Sequence, residues 1–162
     1  MKRLLLSLVL FLSLPAFPLV PGLVCVVGVL FSGTPELFGA ETDEQTKAHS
    51  EVLDLAGAFQ NDGFKLRDGT WYAQVSQGQP QTIEVNLYSG NAYWFSVADA
   101  NDSTGLTVSV FDDHGNPVEV QSYQKDNKAA AGFSPDASGL YYVEVSSSAP
   151  AASAFCLIYS YK

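Results

Sequence analysis

Basic residues, histidine and cysteine are scarce in this chain of 162 residues. Eight Lys and Arg stand against 17 Asp and Glu, which gives a formal net charge of −9. An acidic surface repels phosphate backbones and anionic lipid headgroups, so we expect neither nucleic-acid binding nor charge-driven docking on membranes. The 2 histidines, His49 and His114, restrict the bases available for nucleophilic or metal-assisted chemistry.

Catalytic motifs are also missing. The sequence contains no G-x-S-x-G, no H-E-x-x-H and no glycine-rich phosphate loop. A Ser-His-Asp triad can assemble from residues that are distant in sequence, so a small hydrolase stays open as an alternative. The composition, 47% hydrophobic and 15% charged, is typical of a globular protein. We expect a protein that is not an enzyme and uses no cofactor.

The N-terminal region has the features of an export signal. Lys2 and Arg3 precede the apolar run Leu4–Leu14, as in a secretory signal peptide. A second apolar run, Leu23–Phe31, leaves a retained membrane anchor as the alternative, although prolines separate the two runs. The acidic region begins after Ala40. We therefore expect residues 1–40 to be a leader and the protein to be secreted or periplasmic.

The two cysteines have different expected roles. Cys25 lies in the leader and leaves lipidation open, but the bulky Val24 before it is unfavourable. Cleavage after Ala40 would leave Cys156 alone, without a partner for an internal disulfide. Cys156 lies in the apolar run AFCLIYSY, which favours a buried small side chain over a reactive thiol.

A short helix is predicted in front of the main domain. Residues 41–50 are polar and indicate a flexible leading segment. Ser50 is a candidate N-cap, and Asn61-Asp62-Gly63 is a helix stop. Four apolar residues between them follow helical spacing, namely Val52, Leu55, Ala56 and Phe59. We expect residues 41–62 to form a polar segment and a helix that acts as a flap or a linker.

From Gly63 onward the hydrophobic period changes from helical to two. Ser89-Gly90-Asn91 predicts a hairpin between its flanking strands, and residues 124–139 read as a long connection. About seven short strands follow from the alternation, namely TWYAQVS, QTIEVNLY, NAYWFSVA, LTVSVFD, VEVQSY, LYYVEVS and AFCLIYSYK. Short strands separated by turns predict an all-β antiparallel sandwich over residues 63–162.

Four of these stretches, VNLYSGNAYWFSVA, LTVSVFDDHGNPV, SGLYYVEV and FCLIYSY, together resemble the bacterial pre-peptidase C-terminal (PPC) domain family. The resemblance covers about Thr70 to Lys162. It implies a jelly-roll-like β-sandwich in secreted proteins, non-catalytic and associated with folding, surface attachment or substrate binding. Members of the family commonly carry paired acids that help to bind calcium. Residues 105–108 read Gly-Leu-Thr-Val here, so calcium binding is not expected.

Paired aromatic residues are the main lead to a binding site. Alternation points Trp71, Tyr93 and Tyr141 toward the core, and Tyr72, Trp94 and Tyr142 outward. An outward aromatic row can stack on sugar rings, which makes Tyr72, Trp94 and Tyr142 candidate ligand-binding residues. The alternative is that the helix covers this face or that the rings form cross-strand pairs.

Acidic loops are the candidate metal sites. Asp112, Asp113 and His114 combine carboxylates with an imidazole, but Asp and Gly are preferred turn residues, so a turn is favoured and no metal is expected. The segment Asp99–Asp102 has alternating oxygen ligands but lacks the glycine and terminal glutamate of an EF-hand, so it reads as a solvated loop.

Together these features predict a non-catalytic module with a binding or structural accessory role at the cell envelope. Its partner is expected to be a protein or a glycan, with membrane contact only through a retained leader. A carbohydrate-binding module that uses the outward aromatics is the first alternative, and a small hydrolase is the second.

Overall fold

The computed structural model describes residues 41–101 and 105–162, which form two antiparallel β-sheets and one helix. The leader, Cys25 and the expected cleavage site after Ala40 lie outside the described residues, so the predictions made for them remain predictions. Among the described residues, no helix is both long and apolar enough to cross a membrane.

The helix α1 spans Asp43–Gln60 and precedes all the strands. The nine strands are β1 Lys65–Leu66, β2 Trp71–Val75, β3 Gln81–Leu87, β4 Tyr93–Asp99, β5 Leu106–Phe111, β6 Gln121–Lys125, β7 Lys128–Phe133, β8 Gly139–Ser147 and β9 Ser153–Tyr161.

The strands form a sandwich of unequal sheets. The larger sheet has the order β1-β9-β4-β7-β6, with β2 also pairing with β9. The smaller sheet has the order β3-β8-β5. The main core lies between them and contains alternate residues of the predicted strands, including Val75, Val85, Leu87, Tyr93, Phe95, Val97, Leu106, Val108, Val110, Val143 and Val145. The predicted all-β antiparallel sandwich with one N-terminal helix is confirmed.

The helix begins earlier than the sequence suggested. Thr42, not Ser50, is the N-cap: its hydroxyl accepts from the Gln45 N–H at 3.2 Å, and the Gln45 amide oxygen accepts from the Thr42 N–H at 2.9 Å. This reciprocal capping box satisfies backbone donors that a helix start leaves unpaired. Residues 43–50 are therefore helical rather than flexible. The end is as predicted, with Asn61 at the C-cap and Gly63 at φ +87°.

The helix covers the outer face of the larger sheet. Its buried residues Ala48, Val52 and Ala56 form a second core with mostly small residues of β4, β9 and the turn after β4, namely Ala98, Ala100, Cys156 and Ile158. Small side chains let a helix approach a sheet closely, so this strip of β4 and β9 is buried on both sides. A salt bridge of 2.6 Å between Glu51 and Lys128 also joins the helix to β7.

The segment 124–139 is not only a connection, because it contains β7. This strand lies between β4 and β6 in the larger sheet. Its residues Ala129, Ala130 and Ala131 are all buried, since one face meets the core and the other faces outward beside the helix. A strand buried on both faces has no hydrophobic alternation, which is why the pattern did not reveal it.

The predicted hairpin at Ser89-Gly90-Asn91 is wrong. The strand before this turn, β3, pairs with β8, whereas the strand after it, β4, pairs with β7 and β9 in the other sheet. The turn therefore carries the chain across the sandwich. A tight hairpin occurs instead between β6 and β7, where Asp126 adopts a positive φ of 53°.

Candidate functional site

The outer face of the smaller sheet is open in the described part of the chain, since α1 packs on the larger sheet. We call this face the platform. Its side chains alternate with those that enter the core, and they are Thr82, Glu84 and Asn86 on β3, Leu140, Tyr142, Glu144 and Ser146 on β8, and Thr107, Ser109 and Phe111 on β5.

Tyr142 occupies the middle of the platform. It lies directly opposite Glu84 on one neighbouring strand and Phe111 on the other. Directly opposed side chains in antiparallel strands have Cβ atoms about 4.5–5.5 Å apart. The two rings are half-buried, and Glu84 is exposed. The centre of the platform therefore combines an accessible aromatic surface with a carboxylate.

Polar groups continue on both sides of this row. Thr82 and Ser109 lie opposite Glu144, and Asn86 lies opposite Leu140. Rows on one face of a strand are spaced by about 7 Å, twice the rise per residue. Tyr142 was a predicted binding residue, whereas Glu84 and Phe111 were not. The alternation of QTIEVNLY and LTVSVFD already placed both outward, but only the strand register brings them beside Tyr142.

Trp94 lies on the other sheet, beneath the end of the helix. Its indole stacks on Phe59 with ring centroids 4.3 Å apart and an interplanar angle of 10°. A Cβ atom built on its cross-strand partner Gly132 would lie 2.8–3.0 Å from three ring atoms of Trp94, so the ring also lies over the sheet at this glycine. The expected alternative, in which the helix covers this ring, is what the structure shows.

Tyr72 lies beneath the start of the helix. His49 meets its ring edge-on with centroids 6.0 Å apart. Burial raises the pKa of the Tyr72 hydroxyl, and a hydrogen bond to the Glu41 carboxylate adds to this shift. The three outward aromatics therefore do not form one row. Tyr72 and Trp94 belong to the helix-covered face, and Tyr142 belongs to the platform.

A cavity of about 700 Å³ opens beside Trp94. We call it the groove. Its apolar lining includes the side chains of Phe64, Trp94 and Phe133, and Glu119 also lines it. The ammonium of Lys162 lies 4.3 Å from the Phe64 ring centroid and donates to the carbonyl of Asp62 at 3.2 Å. This cation is therefore engaged within the chain.

The Asp112, Asp113 and His114 cluster forms a turn. One carboxylate oxygen of Asp112 accepts from the N–H groups of His114 and Asn116 at 2.9 and 2.7 Å, and the other accepts from the Asn116 side chain at 2.9 Å. The bonds from Asn116, together with that from His114, lower the pKa of Asp112. The ligand atoms of the three residues lie within 4.8 Å of one another. The favoured turn interpretation accounts for Asp112, and the three residues stay a minor candidate for a metal site.

Cys156 is fully buried between the sheet and the helix. Burial raises the pKa of its thiol to about 12. The reactive form of cysteine is the thiolate, so at neutral pH this residue is a poor nucleophile. The prediction that Cys156 is a buried small side chain is confirmed.

Asp99 is a buried residue that the sequence analysis assigned to a solvated loop. One of its carboxylate oxygens accepts from the Asn101 N–H at 2.7 Å and from the Ser153 hydroxyl. Its backbone carbonyl accepts from the Asn127 side chain at 2.8 Å. Within residues 41–101 and 105–162 its second carboxylate oxygen has no hydrogen-bond partner. Asp99 thus joins the ends of β4, β7 and β9, and Asp102 lies outside the described residues.

The sequence matches no protein-family model, and no curated protein shows significant similarity to it. The resemblance to the PPC domain family therefore rests on the sequence patterns alone.

Proposed function

We propose that this chain is a non-catalytic, exported binding module that binds an uncharged polysaccharide on the platform. The observation that carries the proposal is the row of Phe111, Tyr142 and Glu84 across three strands of a sheet face that no described element covers. The predicted leader contains the apolar run Leu4–Leu14 and is followed by an acidic region. This arrangement favours a location at the cell envelope, where polysaccharides are abundant ligands.

The chemistry of a sugar ring matches this row. A pyranose presents an apolar face of C–H groups, which can stack on an aromatic ring, and an edge of hydroxyls that both donate and accept hydrogen bonds. Tyr142 and Phe111 offer the aromatic surface. Glu84 offers acceptors, and Asn86 offers both donors and acceptors. A binding site needs only a few such polar groups around an apolar surface to orient its ligand.

The charge of the platform selects among polysaccharides. Glu84 and Glu144 are its charged side chains, and the whole chain has a formal net charge of −9. Carboxylates facing a sulfated or uronic-acid polymer would repel it. An uncharged polymer such as a glucan or mannan meets no such penalty.

The proposal is tested by retardation of the full-length protein in native gels that contain soluble polysaccharides. The protein is produced in an exporting host, and its N terminus is read by mass spectrometry. We expect at least one uncharged polymer to retard it, and Tyr142→Ala to abolish the retardation. Tyr88→Ala removes a tyrosine that is 56% exposed outside the platform, so it is the matched control and should bind normally. Equal loss in both variants, or retardation by no polymer in a broad panel, would contradict the proposal.

A further inference from the structure

The strand β6 forms one edge of the larger sheet, and all five of its residues are exposed. It pairs with β7 on one side, and no described strand pairs with its other side. Edge strands with free backbone groups can pair with another chain, and proteins usually protect them with prolines, inward charges or covering elements. The sequence Gln-Ser-Tyr-Gln-Lys of β6 has no proline and no charge before Lys125.

The register shows which backbone groups of β6 are free. The Asp99 N–H donates to the Asn127 carbonyl. The backbone N–H and C=O groups of odd-numbered β7 residues therefore bond to β4, and those of even-numbered residues bond to β6. Their partners on β6 are Gln121, Tyr123 and Lys125. In an antiparallel pair, the intervening residues direct their N–H and C=O groups away from the partner. Within the described part of the chain, the backbone N–H and C=O groups of Ser122 and Gln124 are therefore unpaired at the edge.

The side chains at this edge are complementary to a second copy of the same edge. In an antiparallel pair centred on Ser122, the two Ser122 residues lie opposite each other. Their outward-directed backbone N–H and C=O groups can then bond to one another. The same register sets Lys125 opposite Glu119 of the second copy, twice by symmetry. Glu119 lies two residues before β6, on the side of Gln121, Tyr123 and Lys125, because Val118 and Val120 pack against the core. Neither Lys125 nor Glu119 has an ion pair within the described residues.

We propose that two copies of this chain associate through antiparallel pairing of β6 with β6 about Ser122. The pairing joins the two larger sheets into one continuous sheet, and two Lys125–Glu119 ion pairs fix its register. Opposite charges across the symmetry axis favour this register, and the free groups of Ser122 supply its central hydrogen bonds. A two-fold axis of this kind is the commonest symmetry of homo-oligomers.

The pairing turns both platforms to the same side, because opposed residues in antiparallel strands project to one face. Two platforms on one side would strengthen binding to a polymer through avidity. That consequence rests on the proposed function, whereas the dimer itself does not. A contact of two short strands buries less surface than a permanent dimer, so we expect a weak, concentration-dependent association.

Sedimentation equilibrium of the full-length exported protein, from about 5 to 500 µM, tests this proposal over the range of weak affinities. We expect the mass to rise toward that of two chains. Lys125→Glu and Glu119→Lys should each remain monomeric, because each sets like charges opposite one another. A mixture of the two variants should regain the dimer, since their charges become complementary. Lys65→Glu, on the opposite edge of the same sheet, is the control of equal charge change and should dimerise like the wild type.

Ser122→Pro is a further test that leaves the β6–β7 pairing intact, since its N–H faces away from β7. It should be folded and monomeric. A wild-type protein that stays monomeric over the whole range, or single variants that fail to associate when mixed, would overturn the proposed pairing. Loss of dimerisation without loss of glycan binding, or the reverse, would separate this proposal from the proposed function.

Discussion

The indole of Trp94 lies against Gly132, its partner on the neighbouring strand, and is held there by Phe59 of the helix. This contact couples three elements at one point, since it joins β4, β7 and the C-terminal turn of α1. It also explains why this outward-facing tryptophan does not offer a free ring face to a ligand. The glycine leaves the space that the ring fills, and the stacked phenylalanine prevents the ring from moving outward.

We expect Gly132→Ala to destabilise the protein by about 1–3 kcal/mol, the usual effect of adding a methyl group to a well-packed site. The new Cβ would lie 2.8 Å from the Trp94 ring. Urea unfolding followed by tryptophan fluorescence gives the free energy of unfolding. Gly57→Ala is the matched control, because apart from its chain neighbours and the helix's own backbone no atom lies within 4 Å of its added methyl group. That helical substitution should stabilise the protein by about 0.5–1 kcal/mol. A free energy of unfolding of Gly132→Ala that is equal to or above that of the wild type would mean that the ring is not confined.

Cys156 should be unreactive in the folded protein. Because burial raises the pKa of its thiol to about 12, a maleimide should modify it at pH 8 only after unfolding. The same shift has a consequence for stability. An unfolded cysteine ionises near pH 8.5, so the contribution of the protonated thiol is complete below that pH and is lost as pH rises toward 12.

The measurement for this linkage is the free energy of unfolding between pH 8 and 11. The wild type should lose stability more steeply than Cys156→Ala, in which no thiol titrates. Equal slopes, or rapid labelling of the native protein, would contradict the buried environment of Cys156.

Asp112→Ala should lower the melting temperature, because it removes the acceptor for the His114 and Asn116 N–H groups. The folded state lowers the pKa of this carboxyl group. Its contribution is therefore present above the unfolded value of about 3.9 and is lost as pH falls through the lower folded value. The difference from the wild type should shrink below about pH 4. Asp113→Ala, in the same turn, should have a smaller effect at pH 7. A difference that persists unchanged in acid would show that the charge of Asp112 is unimportant.

Binding at the platform should depend little on ionic strength. An uncharged polymer offers no charge for Glu84 or Glu144 to attract, so its affinity should stay constant from about 50 to 500 mM NaCl, where long-range electrostatic effects are screened. Anionic polymers should bind only after Glu84→Lys, which reverses a charge at the centre of the platform. Gel retardation at both NaCl concentrations checks this expectation. A wild-type affinity that falls steeply with salt would point to a charged ligand and a different site.

The sequence predicted the parts of the fold that depend on alternation. Residues such as Val85, Val110 and Val143 point into the core as expected, because each strand that carries them has one buried face and one more exposed face. The strand β7 was missed because both of its faces are buried. The false hairpin at Gly90 arose because a glycine turn is equally suited to joining strands within one sheet and to crossing between sheets.

The candidate site was less predictable for a related reason. Alternation gives the direction of a side chain but not the sheet that carries it. Trp94 and Tyr142 both point outward, yet they lie on opposite outer faces, because β4 and β8 belong to different sheets. Only the strand register brings Glu84 and Phe111 beside Tyr142, and register depends on contacts between residues far apart in the chain.

The most direct test of the central claim is amide chemical-shift mapping of the isotope-labelled full-length protein with the polysaccharide that retards it most strongly in gels. We predict that the shifts concentrate at Tyr142, Glu84 and Phe111 and on their neighbours across the smaller sheet. The amides of Trp94, Gly132 and Phe59 should be unchanged. Shifts concentrated in the groove beside Trp94, with the platform unperturbed, would contradict the assignment of the platform as the binding face.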